Sequence, residues 1–264
     1  MNRFEGKVAI VTGAGTGIGA AVARRIVDEG GKVVLTGRRP EPLEKVAADC
    51  GGVVVSGDAS DPLDAGKVVE AAISNFGRLD LLVANAGGFG FGTVTETSDE
   101  DWDLAFRNNI STAMVTARAT LPELIKCGGN IVIISSIAGL AAGPEACGYV
   151  TMKHGLIGLT RSLARDYGKH GVRANAICPG WVRTEMADEE MAELVERRGL
   201  ASVEDAYALV TKDVPLGRPA TPDELAGTVA FLGSADAAMV TGAVLTVDGG
   251  ATAVDVPTLA FDEG

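Results

Sequence analysis

This chain is poor in aromatic residues, histidine, cysteine and positive charge, and each shortage removes a class of function. Aromatics make up 5% of its 264 residues, so Val, Ile, Leu and Ala must fill any core. Two histidines, His154 and His170, are too few for a dedicated zinc site, and no metal is expected. Cys50, Cys127, Cys147 and Cys178 are widely spaced and outline neither a metal site nor a disulfide framework. Lys and Arg number 23 against 35 Asp and Glu, a net charge of −12. Nucleic-acid binders carry a basic footprint, and none is visible, so no nucleic-acid partner is expected. No apolar run reaches the roughly 18 residues that span a bilayer, so no membrane association is expected. The segment Met1–Lys7 leads directly into an apolar strand without a cleavage-site pattern. These absences together predict a cytoplasmic protein.

What is present is a large apolar fraction, 47%, with 35 glycines and only ten prolines, the composition of a compact chain with many tight turns. Apolar runs occur at Lys7–Val11, Lys32–Thr36, Gly52–Ser56, Leu79–Ala84, Asn130–Ile134, Val172–Ile177 and Val244–Val247. Their unbroken apolar character fits strands covered on both faces by helices. Ile18, Val22 and Ile26 recur at helical spacing between the first two runs, and Gly30-Gly31 ends that helix. Strand and helix in alternation predict an α/β fold, a doubly wound parallel seven-stranded sheet with helices on both faces. No linker or repeat divides the chain, so residues 1–264 are read as one domain. Residues 181–215 break the rhythm with charged helical sequence such as Asp188-Glu189-Glu190. They are read either as a solvated helix pair or as a substrate lid.

The first strand runs into Thr12-Gly13-Ala14-Gly15-Thr16-Gly17-Ile18-Gly19, and a helix starts at once. Glycines let the backbone approach a ligand closely, and the helix N-terminus offers free N–H groups to a pyrophosphate. At the first strand-to-helix junction of such a sheet, this pattern predicts dinucleotide binding. Tyr149 and Lys153, four residues apart, share one helix face. A nearby ammonium favours the phenolate, which predicts a lowered Tyr149 pKa and a phenol able to exchange a proton with a substrate oxygen. Ser136 closes the run Ile131–Ser136 at a strand's carboxyl end, where it could bond a carbonyl oxygen or cap a turn.

With these residues the sequence resembles the short-chain dehydrogenase/reductase family from about Lys7 to Gly250. The resemblance rests on Thr12-Gly13-x-x-x-Gly17-Ile18-Gly19, Asn85-Ala86-Gly87, Asn109, Ser136 thirteen residues before Tyr149, Pro179-Gly180-Trp181-Val182-Arg183-Thr184, and Val247-Asp248-Gly249-Gly250. It implies a Rossmann-fold, NAD(P)-dependent oxidoreductase that interconverts a secondary alcohol and a ketone or aldehyde. Tyr149 would be the acid/base, and Lys153 would lower its pKa while bonding the nicotinamide ribose. Ser136 would orient the carbonyl, and Asn109 would support a water path. For the cofactor it implies Gly13, Thr16, Gly17, Ile18 and Gly19 at the turn, and Asp58 and Ala59 beside the adenine. Asn85, Ala86 and Gly87 would lie near the adenosine ribose, and Pro179, Gly180, Val182 and Thr184 around the nicotinamide.

Two departures stand out. Ala84 replaces a frequent Asn, and Thr112 stands where Gly is common. The family's enoyl reductases use Tyr-x-x-Met-x-x-x-Lys, but here Leu156 takes the lysine's place, which disfavours carbon–carbon double-bond reduction. Gly37 stands where NAD-selective members carry Asp, and Arg38 follows with a fork suited to a 2′-phosphate. NADP(H) is therefore favoured over NAD(H), although Thr16 replaces the second basic residue of many NADP-selective members. The resemblance also implies a homotetramer of 222 symmetry, with Val244–Val247 and the helix of Tyr149 near its interfaces. Gly88-Phe89-Gly90-Phe91-Gly92 and Trp181 border either an apolar substrate pocket or only one another. A non-catalytic dinucleotide sensor or scaffold of the same fold is the alternative class.

Overall fold

A computed structural model describes residues 2–261. The strands are β1 (Val8–Thr12), β2 (Lys32–Gly37), β3 (Val53–Ser56), β4 (Leu81–Ala84), β5 (Asn130–Ile134), β6 (Arg173–Pro179) and β7 (Val244–Val247). They form one parallel sheet in the order β3-β2-β1-β4-β5-β6-β7. All seven expected runs are strands; Asn130–Ile134 and Val244–Val247 match at both ends, and the other five differ by one or two residues because pairing, not hydrophobicity, sets where a ladder stops.

The helices are α1 (Gly17–Asp28), α2 (Pro40–Cys50), α3 (Pro62–Phe76), α4 (Asp99–Phe106), α5 (Thr112–Cys127), α6 (Cys147–Tyr167), α7 (Glu185–Arg198), α8 (Val203–Val210) and α9 (Pro222–Gly233). Because side chains alternate along a strand, Ala9 and Val11 of β1 enter one core layer and Val8 and Ile10 the other. The first layer is closed by Val22 and Ile26 of α1, Leu43 of α2 and Val229 of α9. The second is closed by Val68 of α3, Leu121 and Leu124 of α5, and Leu156 and Leu163 of α6. Ile10 and Val11 are fully buried, each contributing about 1.5–3 kcal/mol. Among the described residues, no helix is long and apolar enough to cross a membrane.

The site follows from the strand order. After β1 the chain winds outwards to β3, then returns past β1 to lay β4 on its other side. The loops after β1 and β4 therefore diverge to opposite faces, opening a crevice at the carboxyl edge of the sheet. The charged stretch after β6 folds as α7 and α8, which share a satellite cluster of Ala187, Met191, Ala206 and Tyr207.

One buried carboxylate ties the far end of α1 to the N-terminal segment. Glu29 is 7% exposed; its carboxylate accepts from Arg3 Nε at 2.6 Å and Arg3 Nη2 at 2.7 Å, and also from Arg25. The Arg3 bonds, reinforced by Arg25 against the opposing effect of burial, hold its pKa down at about 2, from an ordinary 4.5. A carboxyl lowered in the folded state stabilises fully above its unfolded value and ceases to do so as pH falls through its folded value. Glu29→Gln is therefore expected to cost about 1–3 kcal/mol near neutrality. Urea midpoints of the two proteins should converge as pH falls from 4.5 towards 2.

Candidate active site

At the end of β1 the backbone makes a turn that only small residues permit. Gly13 and Gly17 sit at φ +62° and +52°, and a Cβ on Gly19 would lie 2.2 Å from the Gly13 carbonyl oxygen. Thr16 precedes α1 in extended conformation without capping it, and the first helical turn carries no acidic side chain. The leading N–H groups of α1 and the positive end of its dipole thus face the crevice. This cradle fits the pyrophosphate of a dinucleotide: close backbone approach, free donors and no carboxylate in the first turn of α1, with Arg24 lining the same cavity alongside Glu185 and Asp223. Ile18 and Thr16 are half-buried beside it.

The loop after β4 is locked to that turn. Thr12 Oγ1 accepts from the backbone N–H of Asn85 at 3.0 Å and of Ala86 at 2.9 Å. Asn85 Nδ2 donates to the carbonyls of Thr12 at 3.0 Å and Gly13 at 3.2 Å. The side-chain amide expected near the adenosine ribose is thus spent on holding two loops together. Gly87, the next expected contact, is exposed at the crevice. Beyond β2, Arg38 and Arg39 are both exposed. Ala59 is 8% exposed after β3, next to Asp58. Burial pushes the Asp58 carboxyl up, but hydrogen bonds from Ser60 and the Arg107 guanidinium at 2.9 Å outweigh it and hold the pKa below the ordinary value.

Ser136, Tyr149 and Lys153 come together because α6 lies hard against the end of β5. Ser135 Oγ donates to the Lys153 carbonyl at 2.9 Å, and a Cβ on Gly139 would lie 2.8 Å from the same oxygen. Gly90 receives the Tyr149 backbone N–H at 2.8 Å, and the Phe91 ring stacks on the Tyr149 ring with centroids 5.4 Å apart. Lys153 is 5% exposed; its Nζ lies 5.4 Å from the Tyr149 ring centroid and donates to the Ile134 carbonyl at 3.3 Å. Ser136 Oγ accepts the Ala138 N–H at 3.1 Å, so the turn-capping duty weighed from sequence is fulfilled at the site itself.

The protonation expectation needs correction. Burial lowers the Lys153 ammonium to about 8. The Tyr149 phenol is raised, not lowered: burial pushes it up, the Ser136 side chain opposes this, and the Glu190 carboxylate adds to it. The lysine stands over the ring and is itself driven towards neutrality, so desolvation of the phenolate prevails.

Asn109 sits in a π-helical turn, Arg107–Ser111, between α4 and α5, and is fully buried. Its Oδ1 accepts the Gly88 N–H at 3.0 Å, while Nδ2 donates to the carbonyls of Gly88 at 2.8 Å and Ala105 at 2.9 Å. The side chain expected to support a water path is therefore committed to the loop after β4. Thr112, noted only as a departure, donates to the Ala86 carbonyl at 3.1 Å and anchors the same loop from α5.

Beyond β6, Pro179 is buried and Gly180 passes so close to Asp248 that a Cβ would lie 3.0 Å from its Cα. Val182, 6% exposed, bridges to Ala220. Thr184 caps α7 by accepting the Ala187 N–H at 3.2 Å, and its methyl would lie 3.1 Å from a Cβ on Gly17. The start of α7 thus meets the glycine turn across the crevice. Among the described residues, no His, Cys, Asp or Glu side chains gather into a group that could hold a metal.

A family model described as enoyl-(acyl carrier protein) reductase matches residues 13–252. The chain is 48% identical to "Protein MoaE" of Klebsiella aerogenes, an alignment covering 97% of this chain and 99% of that protein. It is 38% identical to the meso-2,3-butanediol dehydrogenase of Serratia marcescens, covering 96% and 97%. The chain belongs to the short-chain dehydrogenase/reductase family. A crystal structure of actinorhodin polyketide ketoreductase with NADPH superposes at a TM-score of 0.87 and 34% identity, covering 92% of this chain and 96% of that one. As a member of this family the chain is an oxidoreductase that uses a nicotinamide dinucleotide.

Several residues of this short-chain dehydrogenase/reductase site escaped sequence reasoning. Thr12 is read only as the opening residue of the glycine motif, yet its hydroxyl organises the loop after β4. Arg107, more than forty residues from Asp58, carries no local signal of that pairing. Phe91 is expected to border either an apolar pocket or its own loop, and only folding places it on Tyr149. Glu190, read as part of a solvated helix, acts on the Tyr149 phenol.

Proposed function

We propose that this chain interconverts a secondary alcohol and a ketone or aldehyde, with Tyr149 as the proton-transferring residue. The observation that carries this reading is the convergence of Ser136, Tyr149 and Lys153 at the carboxyl edge of the sheet, opposite the glycine turn. When bound, the nicotinamide supplies hydride-accepting and hydride-donating chemistry. The Ser136 hydroxyl donates to the substrate oxygen and holds it beside the Tyr149 hydroxyl. Tyr149 gives its proton to that oxygen in reduction and takes one from it in oxidation. The raised pKa means that Tyr149 enters reduction with its proton in place, and Lys153, charged below about 8, steadies the phenolate left behind. Asn109 acts as a positioning residue through the loop it holds, leaving only its backbone for any proton path.

Reduction of a carbon–carbon double bond is disfavoured despite the description of the matching family model. Leu156, where the enoyl reductases' lysine would stand, is 2% exposed on the core face of α6. The butanediol dehydrogenase among the relatives supports a small secondary alcohol. We read residues 181–215 as the substrate lid of one 264-residue domain, with Thr184 and Val182 beside the nicotinamide. Its charge and apolar strands fit a cytoplasmic protein.

Tyr149→Phe removes the exchangeable proton with little change in shape. It is expected to retain the fold and nucleotide affinity while losing about a hundred- to ten-thousand-fold in turnover, followed by nicotinamide absorbance. Near wild-type turnover in a folded Tyr149→Phe protein would exclude the role.

Arg38, exposed at the end of β2, supports NADP(H) as the preferred cofactor, with NAD(H) as the alternative. Arg38→Asp replaces attraction with repulsion at a 2′-phosphate. NADP affinity should fall far more than NAD affinity in fluorescence titrations; equal losses would show that Arg38 reads no phosphate.

Assembly as a homotetramer is supported by an apolar cleft of about 390 Å³ between α5 and α6, lined by Met114, Leu121, Leu159, Leu163 and Tyr167. The exposed Leu245 on edge strand β7 adds a second candidate surface. Light scattering should give about four times the 27.0 kDa chain mass, and a monomer at micromolar concentration would reject the assembly.

A further inference from the structure

On α7 the acidic residues Glu185, Glu189 and Glu193 are exposed, whereas Glu190 is half-buried. That helix lies over the mouth of the site, and two contacts fix which face it turns inwards. Near its start, the Met186 side chain lies 3.6 Å from where a Cβ on Gly88 would be, in the loop that Asn109 holds. Near its end, Arg197 reaches Glu145 at 3.5 Å, in the segment leading into Tyr149. At about 100° per residue, Glu190 lies about 40° from Met186 and about 20° from Arg197 around the helix. It therefore occupies the site-facing stripe, between the two contacts.

Glu190 is half-buried, and it makes no hydrogen bond or ion pair among the described residues. The arginines seven residues before and after it are both engaged, Arg183 by Glu204 at 2.6 Å and Arg197 by Glu145 at 3.5 Å. The carboxyl is pushed up, first by burial and then by Glu193, and it in turn raises the Tyr149 phenol. Apolar side chains stand at the same mouth: Phe91 is stacked on Tyr149 and Met186 lies against Gly88, both partly exposed. A carboxylate in such a place is costly unless a ligand brings the missing donor.

We propose that Glu190 is a specificity residue that accepts a hydrogen bond from a hydroxyl or ammonium group on the substrate, close to the reacting carbon. The proposal rests on the alcohol–carbonyl reading above. It narrows the substrate class from any secondary alcohol to vicinal diols and amino alcohols, with their keto counterparts. The apolar rim would hold the carbon skeleton, Tyr149 and Ser136 the reacting oxygen, and Glu190 the neighbouring polar group.

The test compares oxidation of 2-butanol, 2,3-butanediol and 3-amino-2-butanol by the wild-type protein, Glu190→Leu and Glu190→Gln, with either nicotinamide cofactor. In the wild type, kcat/KM for the diol or the amino alcohol should exceed that for 2-butanol by about tenfold or more, the value of one charge-assisted hydrogen bond. Glu190→Leu should bring that ratio close to unity, chiefly through KM. Glu190→Gln keeps an acceptor but no charge and so separates the two sources. Loss of the amino-alcohol preference in Glu190→Gln marks an ammonium, and a retained diol preference marks a hydroxyl. A wild-type protein without either preference, or ratios unchanged in a folded Glu190→Leu protein, overturns the proposal while leaving the alcohol–carbonyl reading intact. No turnover of any of the three substrates by the wild type overturns both.

Discussion

The close seating of α6 on the end of β5 is the constraint on which the site depends. The Lys153 carbonyl is received by the Ser135 hydroxyl, and Gly139 leaves no Cβ in the way. That seating carries the Lys153 ammonium into a buried position under Tyr149 and sets Ser136 at the same edge. A helix displaced outwards by one methyl group would hydrate the lysine and separate the serine from the tyrosine. The electrostatics of the site are therefore a consequence of packing: burial lowers the ammonium and raises the phenol together.

A second layer of hydrogen bonds holds the loops that face this helix. Thr12 and Asn85 join the glycine turn to the loop after β4, while Thr112 and Asn109 join that loop to α5 and its π-helical turn. Most of these bonds are made to backbone groups that the widening crevice between β1 and β4 would otherwise leave unpaired. The side chains that read as cofactor or proton-path residues thus act largely by fixing backbone. The surface offered to a dinucleotide is then mostly main chain, as suits an anion held by N–H groups at a helix start.

The helix over the site mouth differs in kind. α7 is strongly charged and packs through a satellite cluster with α8, outside the two core layers. Its inward stripe combines Met186 with Glu190, so it presents both apolar surface and an unpaired carboxylate to the space beside Tyr149. A segment anchored this lightly, outside both core layers, can change without disturbing the sheet.

The sequence by itself determined the architecture and the positions of the candidate site residues. Unbroken apolar runs such as Asn130–Ile134 and Val244–Val247 can be satisfied only by strands buried on two faces, so their order along the chain already implied a parallel sheet. The four-residue step from Tyr149 to Lys153 and the glycine spacing at Gly13–Gly19 are local patterns, legible because helix and turn geometry are local. Tertiary structure alone decided what depends on distant neighbours. Burial reversed the expected direction of the Tyr149 shift, and the approach of β4 to β1 turned Asn85 inwards. The π-helical turn committed Asn109 to a loop twenty residues away, and the placement of α7 brought Glu190 to the site. Each of these rests on desolvation or on pairing across the sheet, energies set by which segments meet and so absent from any local stretch of residues.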